Sequence, residues 1–111
     1  MEVLSLENVK LPRINNRYNR NFSLKKEYVD AKNVLKAEMM SRNIELIPSP
    51  YSITIDVGTH YDIDSYIKPL LDAMQDVKII DNDKNVCKLT IHKTPVRRNV
   101  PNWIIVEVET L

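Results

Sequence analysis

Residues 51–77, YSITIDVGTHYDIDSYIKPLLDAMQDV, hold the pattern from which the fold follows. Tyr51, Ile53, Ile55 and Val57 alternate with Ser52, Thr54 and Asp56, the period of two expected of a strand with one buried face. Gly58, the single glycine of the chain, ends that pattern. After the turn HYDID, Ile67, Leu70, Leu71, Met74 and Val77 recur at helical spacing, which predicts an amphipathic helix whose first turn accommodates Pro69.

Upstream of this strand, Leu24, Tyr28, Ala31, Leu35 and Met39 are spaced by four, three, four and four, a second amphipathic helix with Ser23 placed to cap it. It is expected to end near Asn43, before Pro48 and Pro50. Glu2–Val9 alternates imperfectly and reads as an opening strand, and KLPRINNRYNRN (10–21) reads as an exposed basic loop. Downstream, Val86–Thr94 and Asn102–Val108 read as closing strands joined by a loop with Pro95, Arg97, Arg98 and Pro101. The order strand, helix, strand, helix, strand, strand predicts the α/β class, α+β-like: one domain, 1–111, with a mixed four-stranded sheet covered by two helices. In such sheets ligands tend to bind at strand ends beside helix N-termini.

At 111 residues the chain is long enough for one core and too short for separate catalytic and binding modules. No stretch approaches the run of about eighteen apolar residues that a membrane span requires. MEVLSLENVK shows no basic leader followed by an apolar run, and Cys87 has no partner for a disulfide, so a cytoplasmic setting is expected. Cys87 itself reads as a small buried hydrophobe on a strand, with no histidine close in sequence to activate it.

The net charge of +1 is uninformative, but its distribution is not. From Lys10 to Lys26 there are six basic residues, Lys10, Arg13, Arg17, Arg20, Lys25 and Lys26, and no acid; a smaller basic group, Lys93, Arg97 and Arg98, follows later. Between Asp56 and Asp83 stand seven aspartates, no glutamate, and only Lys68 and Lys78 in compensation. An acidic island flanked by basic segments suits a protein that holds a cation against a phosphate backbone.

Asp62 and Asp64, at i and i+2 between the strand and the helix, could converge on one hard cation, or could simply cap the helix and favour its positive end. Asp64, Lys68 and Asp72 follow in steps of four along one helix edge, where ordinary ion pairs contribute about 0.3–0.5 kcal/mol each. The segment IIDNDKNV (79–86) is turn chemistry that can fold back beside the first pair. Neither acidic run is an EF-hand: counted from Asp62, the sixth and twelfth positions are Ile67 and Ala73, and counted from Asp81 they are Val86 and His92. His60 and His92 read as turn and strand residues without an orienting partner, although His60 is close enough to Asp62 to reach a substrate.

The run DIDSYIKPLLDAMQDVKIIDNDKNV (62–86) resembles the signature of the RusA family of Holliday junction resolvases: D-x-D-N, a lysine four residues beyond the second Asp, a helix with a further Asp, then D-D-x-x-V. INNRY (14–18) and the helix that begins SLKKEYVDAK (23–32) look like that family's N-terminal region, so the similarity extends over most of the chain while only its central third is diagnostic. The resemblance implies that Asp62, Asp64 and the last aspartate of the D-D-x-x-V segment ligate Mg²⁺, with Mn²⁺ as the alternative ion. Counting back from Val86 makes that residue Asp83, with Asp81 as the fallback, and makes Lys68 the functional lysine. Ser65 and Tyr61 depart from the pattern without removing a carboxylate, and Asn82 stands where the family usually has the first Asp of the D-D-x-x-V segment.

Also implied are hydrolysis to a 5′-phosphate and a 3′-hydroxyl, a four-way junction as substrate, a role in DNA recombination and repair, and a homodimer that makes two symmetric nicks. Lys10, Arg13, Arg17, Arg20, Lys25 and Lys26 are the expected phosphate contacts, and Asn15 and Tyr18 the expected base-edge or stacking contacts at the branch point. Two other readings stand beside this one: a non-catalytic DNA-binding or replication accessory protein, and a nuclease for other branched DNA.

Overall fold

The computed structural model describes residues 2–9, 26–60, 62–63 and 66–111. Its elements are β1 (Glu2–Val9), α1 (Lys26–Met40), β2 (Tyr51–Thr59), α2 (Ile67–Asp76), a 3₁₀ turn (Asp83–Asn85), β3 (Val86–Pro95) and β4 (Asn102–Thr110). The expected α/β class and the order strand, helix, strand, helix, strand, strand both hold. The predicted cap at Ser23 and the start at Leu24 lie outside the described residues.

The strands form one mixed sheet in the order β1-β4-β2-β3. β2 pairs in parallel with β3, placing Ile55 opposite Ile91, and antiparallel with β4, placing Ile55 opposite Val106. β1 joins antiparallel to β4, so β1, β2 and β3 share one direction. A parallel neighbour cannot be reached through a tight hairpin, which is why α2 must intervene between β2 and β3.

The alternation read in residues 51–57 is realised. Tyr51, Ile53, Ile55 and Val57 are buried, and Val108, Val106 and Ile104, the register partners of the last three, are buried with them. Against that face pack Ala31, Leu35 and Met39 of α1 and Leu70, Ala73 and Met74 of α2, all buried. Truncating a core side chain of this kind to alanine costs about 2–5 kcal/mol, since both transfer energy and packing are lost. The opposite face carries Ser52, Thr54 and Asp56, each half-buried.

Cys87 corrects one expectation. It lies on β3 as read, but on the exposed part of an outer strand, where its thiol faces the Asn85 carbonyl at 3.7 Å. Strand membership was legible from β-branched neighbours, whereas burial depended on β3 being the last strand of the sheet.

Two backbone positions shape the connections. α2 ends in a Schellman motif: Ile79 N–H donates to Met74 O at 2.9 Å and Lys78 N–H to Gln75 O at 3.1 Å. Lys78 holds the left-handed position usually given to glycine, with φ of 62°. On β2, a Cβ at Gly58 would fall inside contact distance of the Trp103 indole, which crosses the strand there.

Two stability outcomes follow from these positions. Lys78→Gly is expected to raise stability by about 0.5–1 kcal/mol by relieving left-handed strain, read as a higher urea midpoint. Gly58→Ala is expected to lower it by about 1–3 kcal/mol because Trp103 must be displaced, and Gly58→Ala combined with Trp103→Ala should recover part of that specific clash.

Candidate active site

Lys68, Asp72 and Gln75 occupy one stripe of α2, at i, i+4 and i+7. The Schellman turn reverses the chain after α2, Ile79 and Ile80 anchor it in the core, and the following segment is thereby brought back along that stripe. Lys68 Nζ lies 2.6 Å from Asp83 Oδ2 and 3.0 Å from Asp72 Oδ1, so one ammonium bridges two carboxylates. Gln75 Oε1 accepts the Asp83 N–H at 2.8 Å and fixes the backbone that carries the second carboxylate.

From the other side, the buried Tyr28 of α1 donates its hydroxyl to Asp72 Oδ2. Both oxygens of Asp72 are therefore engaged, one by Tyr28 and one by Lys68. One turn further along the same seam, Asp76 receives Lys32 at 2.8 Å and Lys36 at 3.5 Å. Tyr28, Lys32 and Lys36 on α1 thus match Asp72 and Asp76 on α2 in ascending order, the ladder of two helices running in parallel. The Lys32 hydrogen bond holds the Asp76 carboxyl below its ordinary range despite partial burial.

Asp81 and Asp83 have different surroundings. Asp81 accepts from Asn82 N–H at 2.6 Å and from Asn85 Nδ2 at 3.0 Å, closing the turn on itself. The Asn85 bond, followed by the Asn82 backbone bond, holds its carboxyl below the usual range. Tyr51 steadies this turn: its hydroxyl accepts from Asp81 N–H at 3.0 Å and donates to Ile47 O at 2.7 Å. Burial of that phenol pushes its pKa up.

Of the remaining expected site residues, Asp62 is exposed in the connector between β2 and α2. Asp64, together with Tyr61 and Ser65, lies outside the described residues, as do Lys10, Arg13, Asn15, Arg17, Tyr18, Arg20 and Lys25. Lys26 opens the described part of α1, is exposed, and pairs with Asp30 at 3.2 Å. Among the described residues, no three His, Cys, Asp or Glu side chains gather closely enough to hold a metal. Asp83 is the expected ligand that this cluster contains, and its Oδ2 is paired with the Lys68 ammonium.

Sequence reasoning passed over Tyr28, Gln75 and one histidine. Tyr28 registered only as a core position, because its polar tip depends on how α1 meets α2. His92 corrects an expectation: it has an orienting partner, since Nδ1 lies 3.1 Å from Asp56 Oδ1. The parallel register that sets Asp56 opposite His92 supplies this pair, and no local pattern could have indicated it.

No family model and no curated protein matches the sequence. A solved structure of 2C-methyl-D-erythritol-2,4-cyclodiphosphate synthase aligns at 10% identity and a TM-score of 0.30, over 81% of this chain and 55% of that one. The chain thus spans about half the length of that synthase. No described helix is long and apolar enough to cross a membrane.

The seam between the helices gives a pH dependence whose sign is fixed. A carboxyl depressed in the folded state stabilises above its unfolded value, near 3.8, and loses that contribution as the pH falls through the folded value. Asp76→Asn should therefore lower the urea midpoint near neutral pH by the equivalent of about 0.5–1 kcal/mol, small because the pair is partly exposed. The gap between variant and wild type should close below pH 3.8.

Proposed function

We propose that this chain is a metal-dependent endodeoxyribonuclease acting on branched DNA, with the four-way junction as its foremost substrate, in the manner of the RusA-type resolvases it resembles. The observation that carries the reading is the Lys68 ammonium set between Asp72 and Asp83. A cation presented beside carboxylates at the start of a helix suits a scissile phosphodiester, whose negative charge grows as a nucleophile adds.

Asp62, Asp64 and Asp83 would hold Mg²⁺, or Mn²⁺ in its place. When bound, such an ion neutralises phosphorane charge and lowers the pKa of a water. The roles of the chain's own groups follow from their surroundings. Lys68 offers an ammonium to a non-bridging phosphate oxygen, while Asp72, gripped by Tyr28, limits how far that ammonium can wander. Gln75 fixes the backbone at Asp83, so this carboxylate approaches with little rotational freedom. The basic run Lys10–Lys26 supplies sequence-independent phosphate contacts, with Asn15 and Tyr18 as branch-point contacts. A homodimer would match the two-fold symmetry of a junction and deliver paired nicks.

The satisfied Lys68–Asp83 pair favours one other reading, a DNA-binding accessory protein in which this cluster only fastens the turn to α2. Synthetic four-way junctions and linear duplex, incubated with Mg²⁺ or EDTA, separate the two. The nuclease reading expects Mg²⁺-dependent nicks in the junction and little cutting of linear duplex. Asp62→Asn should lose nicking by about a hundredfold or more while junction retention in a gel shift persists. Intact branched DNA under all conditions overturns the enzyme, and equal cutting of linear duplex overturns the junction preference.

A further inference from the structure

We propose that Trp103 is a stacking platform for an unpaired base of single-stranded DNA, with Arg97 and Arg98 taking the flanking phosphates. The surface lies on the sheet face turned away from α1 and α2, and contact there requires no cleavage chemistry. Naming DNA instead of RNA rests on the proposed nuclease function.

Trp103 is the single tryptophan of the chain, and it lies against the single glycine. Strand alternation fixes the face it uses. Asn102 and Ile104 are buried in the layer beneath the helices, so Trp103 between them stands on the opposite face, where it is half-buried. Its partner across the antiparallel pair is Gly58, which likewise stands between the buried Val57 and Thr59. A Cβ at Gly58 would meet Nε1, Cε2 and Cδ1 of the indole at nearly equal range, three atoms bonded in succession, which an edge-on ring could not offer. The ring therefore lies face-on over the Gly58 backbone. One π-face is covered by the strand and the other is turned away from the sheet. A ring held in this way loses little further freedom when a base settles on it.

The cations follow from the same register. β3 ends at Pro95, opposite Thr59, and the Val96 N–H still reaches the Thr59 carbonyl at 3.3 Å. A turn closed by Val100 N–H to Arg97 O at 2.9 Å then carries the chain past the end of β2 to β4 and Trp103. Both ends of this connection are thus fastened within one residue of Gly58. Arg97 and Arg98 are exposed and, among the described residues, have no ion-pair partner. The acids of the same face lie elsewhere: Glu107 and Glu109 toward the far end of β4, and Asp56 engaged with His92. Unpaired guanidinium groups beside an outward aromatic face suit a chain that alternates phosphate and base. Duplex DNA keeps its base faces stacked inside, so the fitting ligand is a single strand.

The fluorescence of the sole tryptophan reports the contact directly. Short oligothymidylate, titrated into the full chain at low salt in EDTA, should quench it saturably, and a blunt duplex of equal length should quench it far less. Trp103→Leu should weaken binding of labelled oligothymidylate, followed by anisotropy, by about tenfold, and Trp103→Phe by less. Arg97→Ser combined with Arg98→Ser should weaken binding and flatten the slope of log affinity against log salt by about 1.4, the value for two phosphates on a single strand.

Binding without quenching, equal quenching by duplex, or an unchanged salt slope in the arginine variant overturns the proposal, as does absence of binding at low salt. The wild-type titration and the arginine variant decide the matter even where Trp103→Leu fails to fold. Tighter binding of oligouridylate overturns the assignment to DNA. Failure of the nuclease reading is distinct: branched DNA would stay intact in Mg²⁺ while oligothymidylate still quenched Trp103 in EDTA.

Discussion

The position of β2 is the constraint on which the other elements depend. It hydrogen-bonds to β3 on one side and β4 on the other, and its inward residues Tyr51, Ile53, Ile55 and Val57 form the floor on which both helices rest. Because β3 runs parallel to β2, the chain must travel back along the sheet through α2 before β3 can begin. That obligatory return sets the stripe Lys68, Asp72, Gln75 beside the segment leading into β3, and hence sets Lys68 against Asp83. The cluster is a consequence of topology before it is a matter of side-chain chemistry.

Much of the scaffold was legible because its signals are local and periodic. The alternation in 51–57 and the helical stripe in 67–77 each report a single element against a single core, and the structure realises both. Element ends were less legible. β2 runs on to Thr59, past the glycine read as its end, because Gly58 accommodates the Trp103 ring while its backbone keeps the register of the sheet. α1 stops at Met40, ahead of the left-handed Asn43, where a chain entering the 43–50 connector must turn.

At the candidate site, the i, i+4 pair of Lys68 and Asp72 could be written down from spacing, and it is present at 3.0 Å. The contacts from Tyr28 to Asp72 and from Gln75 to the Asp83 backbone could not, because each joins elements whose relative placement no window of sequence encodes. The same holds for Asp56 and His92, separated by 36 positions and joined by strand register. Burial of Cys87 was misjudged for a related reason: a strand's own residues do not say whether it will be flanked on both sides.

The outer place of β3 carries a consequence for the hierarchy of motions. Among the described residues β2 is held on both sides, whereas β3 has one neighbour and leaves Cys87, Lys88, Leu89, His92 and Thr94 exposed. In native-state hydrogen exchange such an edge opens well before the central strands, as a sub-global unit. Asp83 sits at the threshold of that strand. Fraying of β3 would loosen the carboxylate opposite Lys68 while the helices and the inner strands stayed folded. Its lysines, Lys88 and Lys93, serve a second purpose there, discouraging another chain from adding itself to the open edge.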